Sequence, residues 1–370
     1  MTLAAGYQHF ADGPSFAEIA LRHPAVREVY FPWPEEPSGR PRLGYGEEED
    51  SVALARALRA DLERLRAAGV RLDLLLNANC YGSQAMSVAL EDHVRDILGK
   101  LDHCGLLPET VTAASPFIAR TVKKYFPGIE LRASVNMRLT TIQAMAYLAP
   151  LFDSFYLGRD VQRNLGAVRA ARAWCDAHGK KLCILANSGC LRNCPWQTFH
   201  DNLVAHSSAA LKRANVKGWS PHLCWTLYQD PANFPEILKA TWIRPEDIHR
   251  YDGLVDVVKL ATRQHANPDM VIGAYERRSY GGNLLDLLEP GFSPSFFPRY
   301  IDNAAFPPDW FEKTGACPRA CTGCGYCERV FDIVAQTMFA REGRAAARPD
   351  SAPLREGRAP ARPQQGVPNG

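Results

Sequence analysis

The residues with most capacity for chemistry are cysteines. The chain carries eleven, and they fall into groups. In NSGCLRNCPWQTFH (Asn187–His200), Cys190 and Cys194 are separated by three residues, and Gly189 eases the turn that would aim both sulfurs at one centre. Cys80, in NANCYGS, and Cys224, in SPHLCWTLYQD, are candidates to join them. Thiolates are soft ligands that suit iron–sulfur clusters or zinc. Four of them converging would hold a 4Fe-4S cluster or a structural zinc. A second group, GACPRACTGCGYCERVF (Gly315–Phe331), packs Cys317, Cys321, Cys324 and Cys327 into eleven residues. That density is a strong metal signal, and its spacing resembles a ferredoxin cluster loop read backwards. Iron–sulfur is favoured there, with a zinc knuckle as the alternative. Such a group could relay electrons or fix the chain's end. Its first three cysteines also match the CxxxCxxC loop of radical SAM enzymes, but that loop follows the first barrel strand and this one trails the last.

The remaining cysteines call for no metal. Cys104 follows a helical stretch, Cys175 lies on the amphipathic segment Leu165–His178, and Cys183 alternates within a strand. All three read as small buried apolar residues. His200 and His206, six apart, share no helix face. The sequence holds no HExxH, GxSxG or P-loop pattern.

These residues need elements to position them. Seven β-rich runs alternate with helical patterns: Arg27–Trp33, Arg71–Asn79, Thr110–Ser115, Ile129–Met137, Ser154–Arg159, Lys180–Asn187 and Leu254–Thr262. Strand–helix alternation predicts right-handed βαβ units around a parallel sheet. With no GxGxxG turn opening the first unit, an α/β fold of the TIM-like (β/α) barrel type fits better than an open doubly wound sheet. Seven strands leave that barrel one short. The expected organisation is a barrel domain over 1–300 and a Cys-rich extension over 301–344. The segment 195–250, rich in Trp, His and Pro, inserts over the barrel mouth. From Arg341 the composition changes, and REGRAAARP recurs as REGRAPARP. Residues 345–370 read as a disordered Arg/Pro/Ala-rich tail, whose arginines could touch an acidic partner.

Active sites of such barrels lie at the C-terminal strand ends, where Cys80 and Cys190 both fall. So do Asn77, Asn79, Asn136, Arg138, Arg159 and Asp160. Lys259 lies within the last run, where its charge must point into the barrel. Asn136, Arg138, Arg159 and Lys259 are the candidate catalytic residues, forming a cationic pocket for a small carboxylate-bearing substrate.

Bulk properties set outer bounds. Of 370 residues, 46% are hydrophobic and 22% charged, with a net charge of +3. Such a chain buries a large core without disulfides. The near-neutral balance speaks against nucleic acid as a partner. No apolar run reaches the roughly 18–20 residues of a membrane span, and the N-terminus has no secretory pattern. A cytoplasmic location is expected. It makes metal binding a better account of clustered cysteines than disulfides.

Two segments resemble the collagenase-like peptidase family U32. IRPEDIHRYDGLVDVVKLATR (Ile243–Arg263) is similar to the family's block ending in a lysine-containing strand, and CILANSGCLRNCPWQTFH (Cys183–His200) to its cysteine signature. The resemblance covers Ala25–Ser279. The family's Glu-Gly-Arg after the lysine stands here as Leu260, Ala261 and Thr262, followed by Arg263, and the C-terminal cysteines lie outside the resemblance. It implies a TIM-like barrel with one 4Fe-4S cluster on four cysteines, for which Cys80, Cys190, Cys194 and Cys224 are the leading candidates, with Cys183 the alternative member of the set. It further implies an oxygen-independent hydroxylation or related redox step on a small organic substrate, served by an electron donor or partner subunit. Modification of tRNA or rRNA and peptidase activity are the family's other readings. The last finds no nucleophile paired with a base here.

Overall fold

The computed structural model describes residues 1–34, 36–39, 51–206 and 219–338. Eight parallel strands close into a barrel in chain order: β1 (Thr2–Gly6), β2 (Val26–Pro32), β3 (Arg71–Leu76), β4 (Thr110–Ala113), β5 (Glu130–Ala133), β6 (Ser154–Tyr156), β7 (Lys181–Leu185) and β8 (Val257–Leu260). The strand missing from the sequence reading is β1. It pairs in parallel with β8, Thr2 opposite Val257 and Ala5 opposite Leu260, and on its other edge with β2. TLAAG has one β-branched residue and ends in glycine, so it carries almost no strand propensity. Its pairing partners, not its own residues, make it a strand.

Helices alternate with these strands: α1 (Phe16–Leu21), which the sequence reading lacks, then α2 (Ser51–Ala67), α3 (Val88–His103), α4 (Pro116–Tyr125), α5 (Ile142–Leu148) and α6 (Leu165–Ala177), with Pro268–Arg277 after β8. Outside α2, each of these starts has a chemical cause. Ser15 caps α1 in a capping box with Glu18, and the side chains of Ser87, Ser115, Thr141, Asn164 and Asn267 accept first-turn N–H bonds. Each satisfies a donor that the helix itself leaves unpaired.

Strand alternation then makes two layers of core. Val29, Phe31, Leu72, Leu74, Leu76 and Val111 pack outward into the helix layer. Tyr30, Leu75, Tyr156, Cys183, Leu185 and Val257 fill the interior. Cys175 and Cys183 are fully buried, as expected of small apolar residues, and Cys104 packs at the edge of the core. Deeper in the barrel the filling is ionic. Arg132, buried on β5, donates to both carboxylate oxygens of Glu28, to Asp73 Oδ2 at 3.4 Å, to Glu130 Oε1 at 3.1 Å and to Ser154 Oγ at 3.2 Å.

Beyond β7 lie α7 (Gln197–Ala205) and the short helices Leu223–Leu227 and Glu236–Lys239. After β8 the chain forms a two-stranded antiparallel ribbon from β9 (Arg299–Ile301) and β10 (Ala335–Thr337). The Arg-rich stretch after Met338 falls outside the described residues. No helix among the described residues is long and apolar enough to cross a membrane.

Candidate metal and substrate site

The chain leaves β7 through Asn187, whose side chain is clamped. Its Nδ2 donates to the carbonyls of Ala261 and Leu287, and its Oδ1 accepts from Ala261 N. The next residues run beside the loop after β8: Glu289 N donates to Asn187 O, and Gly189 N to Glu289 O. Gly189 is needed for this approach, because a Cβ there would stand 2.7 Å from the carbonyl oxygen of Pro290. The clamp delivers Cys190 to the barrel mouth. There Arg159, arriving from the end of β6, donates to Cys190 Sγ at 3.0 Å and to Ser188 Oγ at 3.4 Å.

Cys190 and Cys194 line a cavity of 410 Å³ together with Cys224 from the inserted region. Aromatic and imidazole groups complete its walls, among them Trp196, His200, His222 and Trp225. Burial raises the Cys194 thiol and pushes Cys224 up to about 12, with the neighbouring sulfur of Cys190 adding to the shift at Cys224. Buried thiols of this kind stay protonated until a metal displaces the proton.

Cys80 is placed differently. It sits just beyond β3, where Gly82 N donates to its sulfur at 3.4 Å, and it is not among the residues lining that cavity. Its neighbour Asn79 donates to Asp201 Oδ2 at 3.2 Å, and Asp201 does line it. Cys80 is thus held to the rim of the same site. The donor set, three thiols on one wall with a guanidinium beside them, has the chemistry of a thiophilic centre. Among the described residues, however, no three His, Cys, Asp or Glu side chains are arranged to hold a metal ion as they stand.

Directly beneath lies a smaller cavity at the strand ends, lined by Tyr30, Asn77, Asn136, Lys259 and Arg263, with Arg159 and Glu289 shared with the first. Lys259 lies over the Tyr30 ring at 3.7 Å and within 5.3 Å of the Tyr156 ring. Burial drives its pKa well below that of a free lysine, with Arg263 and Arg132 pushing the same way and Asp73 opposing. Asp73 is raised by burial, against the pull of Arg132. Asn136 Nδ2 donates to Asn77 O at 3.3 Å. Arg138 ends the turn Val135–Met137 in a left-handed conformation, and lines neither cavity. Glu289 was invisible to motif reading: EPGF carries no signature, and only the pairing beside Asn187 brings its carboxylate to the mouth.

The second cysteine group is likewise gathered. Cys317, Cys321, Cys324 and Cys327 all line one 70 Å³ cavity. Burial raises the Cys327 thiol to about 11.

No family model matches the chain. It is similar to Uncharacterized protease MJ1657 of Methanocaldococcus jannaschii, 26% identical over 265 residues that span 70% of this chain and 76% of the relative. Among solved structures it is similar to the U32 peptidase Mk0906, with a TM-score of 0.49 and 16% identity over 71% of this chain and 93% of that one. A chitinase from Rhizomucor miehei follows at a TM-score of 0.39 and 10% identity, over 75% of this chain and 100% of that one.

Proposed function

We propose that this U32-like chain is an iron–sulfur enzyme that carries out an oxygen-independent hydroxylation or related redox step on a small carboxylate-bearing substrate. The observation that supports it most is the meeting of Cys190, Cys194 and Cys224 on one cavity that shares Arg159 and Glu289 with a lysine-floored pocket. Cys80, at the rim, is the fourth ligand. A 4Fe-4S cluster held there would supply one-electron chemistry at the barrel mouth.

The chain's own residues bind and orient. Lys259 and Arg263, two of the three cations that line the lower cavity, receive the substrate carboxylate; charge-assisted bonds of this kind are about twice as strong as neutral ones. Asn77 and Asn136 offer amide groups for its other polar atoms. Arg159 holds Cys190 from one side and can reach substrate from the other. Trp196 and Trp225 supply apolar wall to the upper cavity. Glu289 is the carboxylate placed to take or return a proton. A peptidase fits these groups poorly. A nucleophilic cysteine needs a lowered pKa, and burial moves Cys224 the opposite way.

Anaerobic purification with iron and acid-labile sulfide analysis tests this reading. A brown protein whose iron falls sharply in Cys190→Ser and Cys224→Ser supports it. A colourless parent protein that keeps peptidase activity after Cys190→Ser contradicts it.

A further inference from the structure

The C-terminal cysteines line a cavity different from the one lined by Cys190, Cys194 and Cys224. Three residues in left-handed conformations, Arg319, Gly323 and Gly325, fold the loop from Cys317 to Cys327 tightly. Within it Arg319 N donates to Cys317 Sγ at 3.3 Å, and Cys324 N to Cys321 O at 3.1 Å. Backbone N–H groups aimed at sulfur stabilise a thiolate more than a thiol. The helix Tyr326–Val334 starts from Gly325 with no side-chain cap. Cys327 thus lies in the first turn of this helix, at its positive end.

Charge gives an independent reason. Arg163 is buried between Trp242 and Trp310, 5.0 and 5.1 Å from their ring centres, and donates to the carbonyls of Leu238 and Ala240. Arg163 and Arg192 line the same cavity as the four sulfurs, and Arg192 Nη2 lies 3.8 Å from Cys321 Sγ. Arg319, in the loop itself, has a buried Nη2 with no hydrogen-bond partner. Among the described residues no salt bridge joins a carboxylate to any of these three arginines. Glu328 also lines this cavity but is paired with Lys239, and Asp160 offsets Arg319 only in part, so the gathered like charges are costly. Four thiolates around a metal carry the missing negative charge.

We propose that Cys317, Cys321, Cys324 and Cys327 hold a second thiolate-bound metal centre, an iron–sulfur cluster or a zinc ion, with Arg163, Arg192 and Arg319 as its countercharge. Each thiol releases its proton to solvent as it binds, with no change of oxidation state required. The centre fastens the C-terminal segment to the barrel, where Lys239 Nζ already meets Glu328 Oε1 at 2.7 Å.

The test uses the full chain, purified anaerobically, with metal and sulfide counted per chain. Cys321 and Cys324 are exposed, so Cys321→Ser/Cys324→Ser spares the core. That double variant is expected to lose one centre: about four iron with matching sulfide, or about one zinc. The pair Cys190→Ser/Cys224→Ser is expected to keep that same metal, which separates this centre from the barrel-mouth one. Alkylation of the Cys317–Cys327 peptide, read by mass spectrometry, is expected to accelerate at least tenfold after chelation. Unchanged metal content in Cys321→Ser/Cys324→Ser would overturn the proposal. So would a disulfide within the peptide, or an alkylation rate indifferent to chelator.

Discussion

Lys259 carries a charge that the barrel interior disfavours, and the proposed function gives that charge a use. Its ammonium is buried over Tyr30, and its pKa is lowered chiefly by that burial. The unfolded chain therefore holds this proton more tightly than the folded one. Stability lost on this account is greatest below the folded pKa and is recovered as pH rises toward that of a free lysine. Lys259→Met is accordingly expected to leave thermal stability at neutral pH unchanged or raised. Carboxylate binding is expected to weaken by about 1.5–3 kcal/mol, the value of a hydrogen bond to a charged group. In the parent protein, affinity for an anionic substrate is expected to fall as pH climbs from neutral into the mildly alkaline range, where an ordinary lysine would stay charged. Calorimetric titration against pH checks both. The sequence made Lys259 legible, because a charge inside a strand of an α/β barrel has only the interior to face. Glu289 and Asn187 were not legible: their roles come from one loop lying beside another, which no spacing encodes.

At the scale of elements, the barrel depends on devices of two kinds. The first is the ionic layer. Removing Arg132 leaves Glu28 and Asp73 buried without their cation. Arg132→Met is expected to cost about 3–5 kcal/mol in denaturant unfolding, the usual penalty for an uncompensated buried charge. The triple variant Glu28→Gln/Asp73→Asn/Arg132→Met is expected to recover most of it. The second device is the clamp between the β7 and β8 loops. In Gly189→Ala the new methyl meets the Pro290 carbonyl at 2.7 Å. The loops must part, at about 1–3 kcal/mol for an overpacked site, and iron content is expected to fall with stability. Strands with strong patterns, such as RLDLLL and KLCIL, were readable from their residues alone. β1 was not, because Ala and Gly become a strand only between two willing edges. The helices were readable from their amphipathic periodicity, and the caps Ser87, Ser115 and Asn164 fix their starts in the fold.

Over the whole molecule, the barrel brings Cys190 and Cys194 beside Cys224, across a sequence gap that spacing could not bridge. It leaves Cys80 at the rim and Arg138 outside the two cavities. The sequence therefore grouped the clustered cysteines by loop and could not give their geometry. Residues near in the chain share a loop by necessity, whereas distant ones meet only through the closed sheet. The measurement that tests the central claim most directly is X-ray absorption at the iron edge, made on anaerobically purified Cys321→Ser/Cys324→Ser so that only the barrel-mouth site contributes. The prediction is an iron centre with sulfur neighbours and a second shell of iron, as a cubane cluster requires. A protein without iron, or with iron bound only through oxygen and nitrogen, would contradict it.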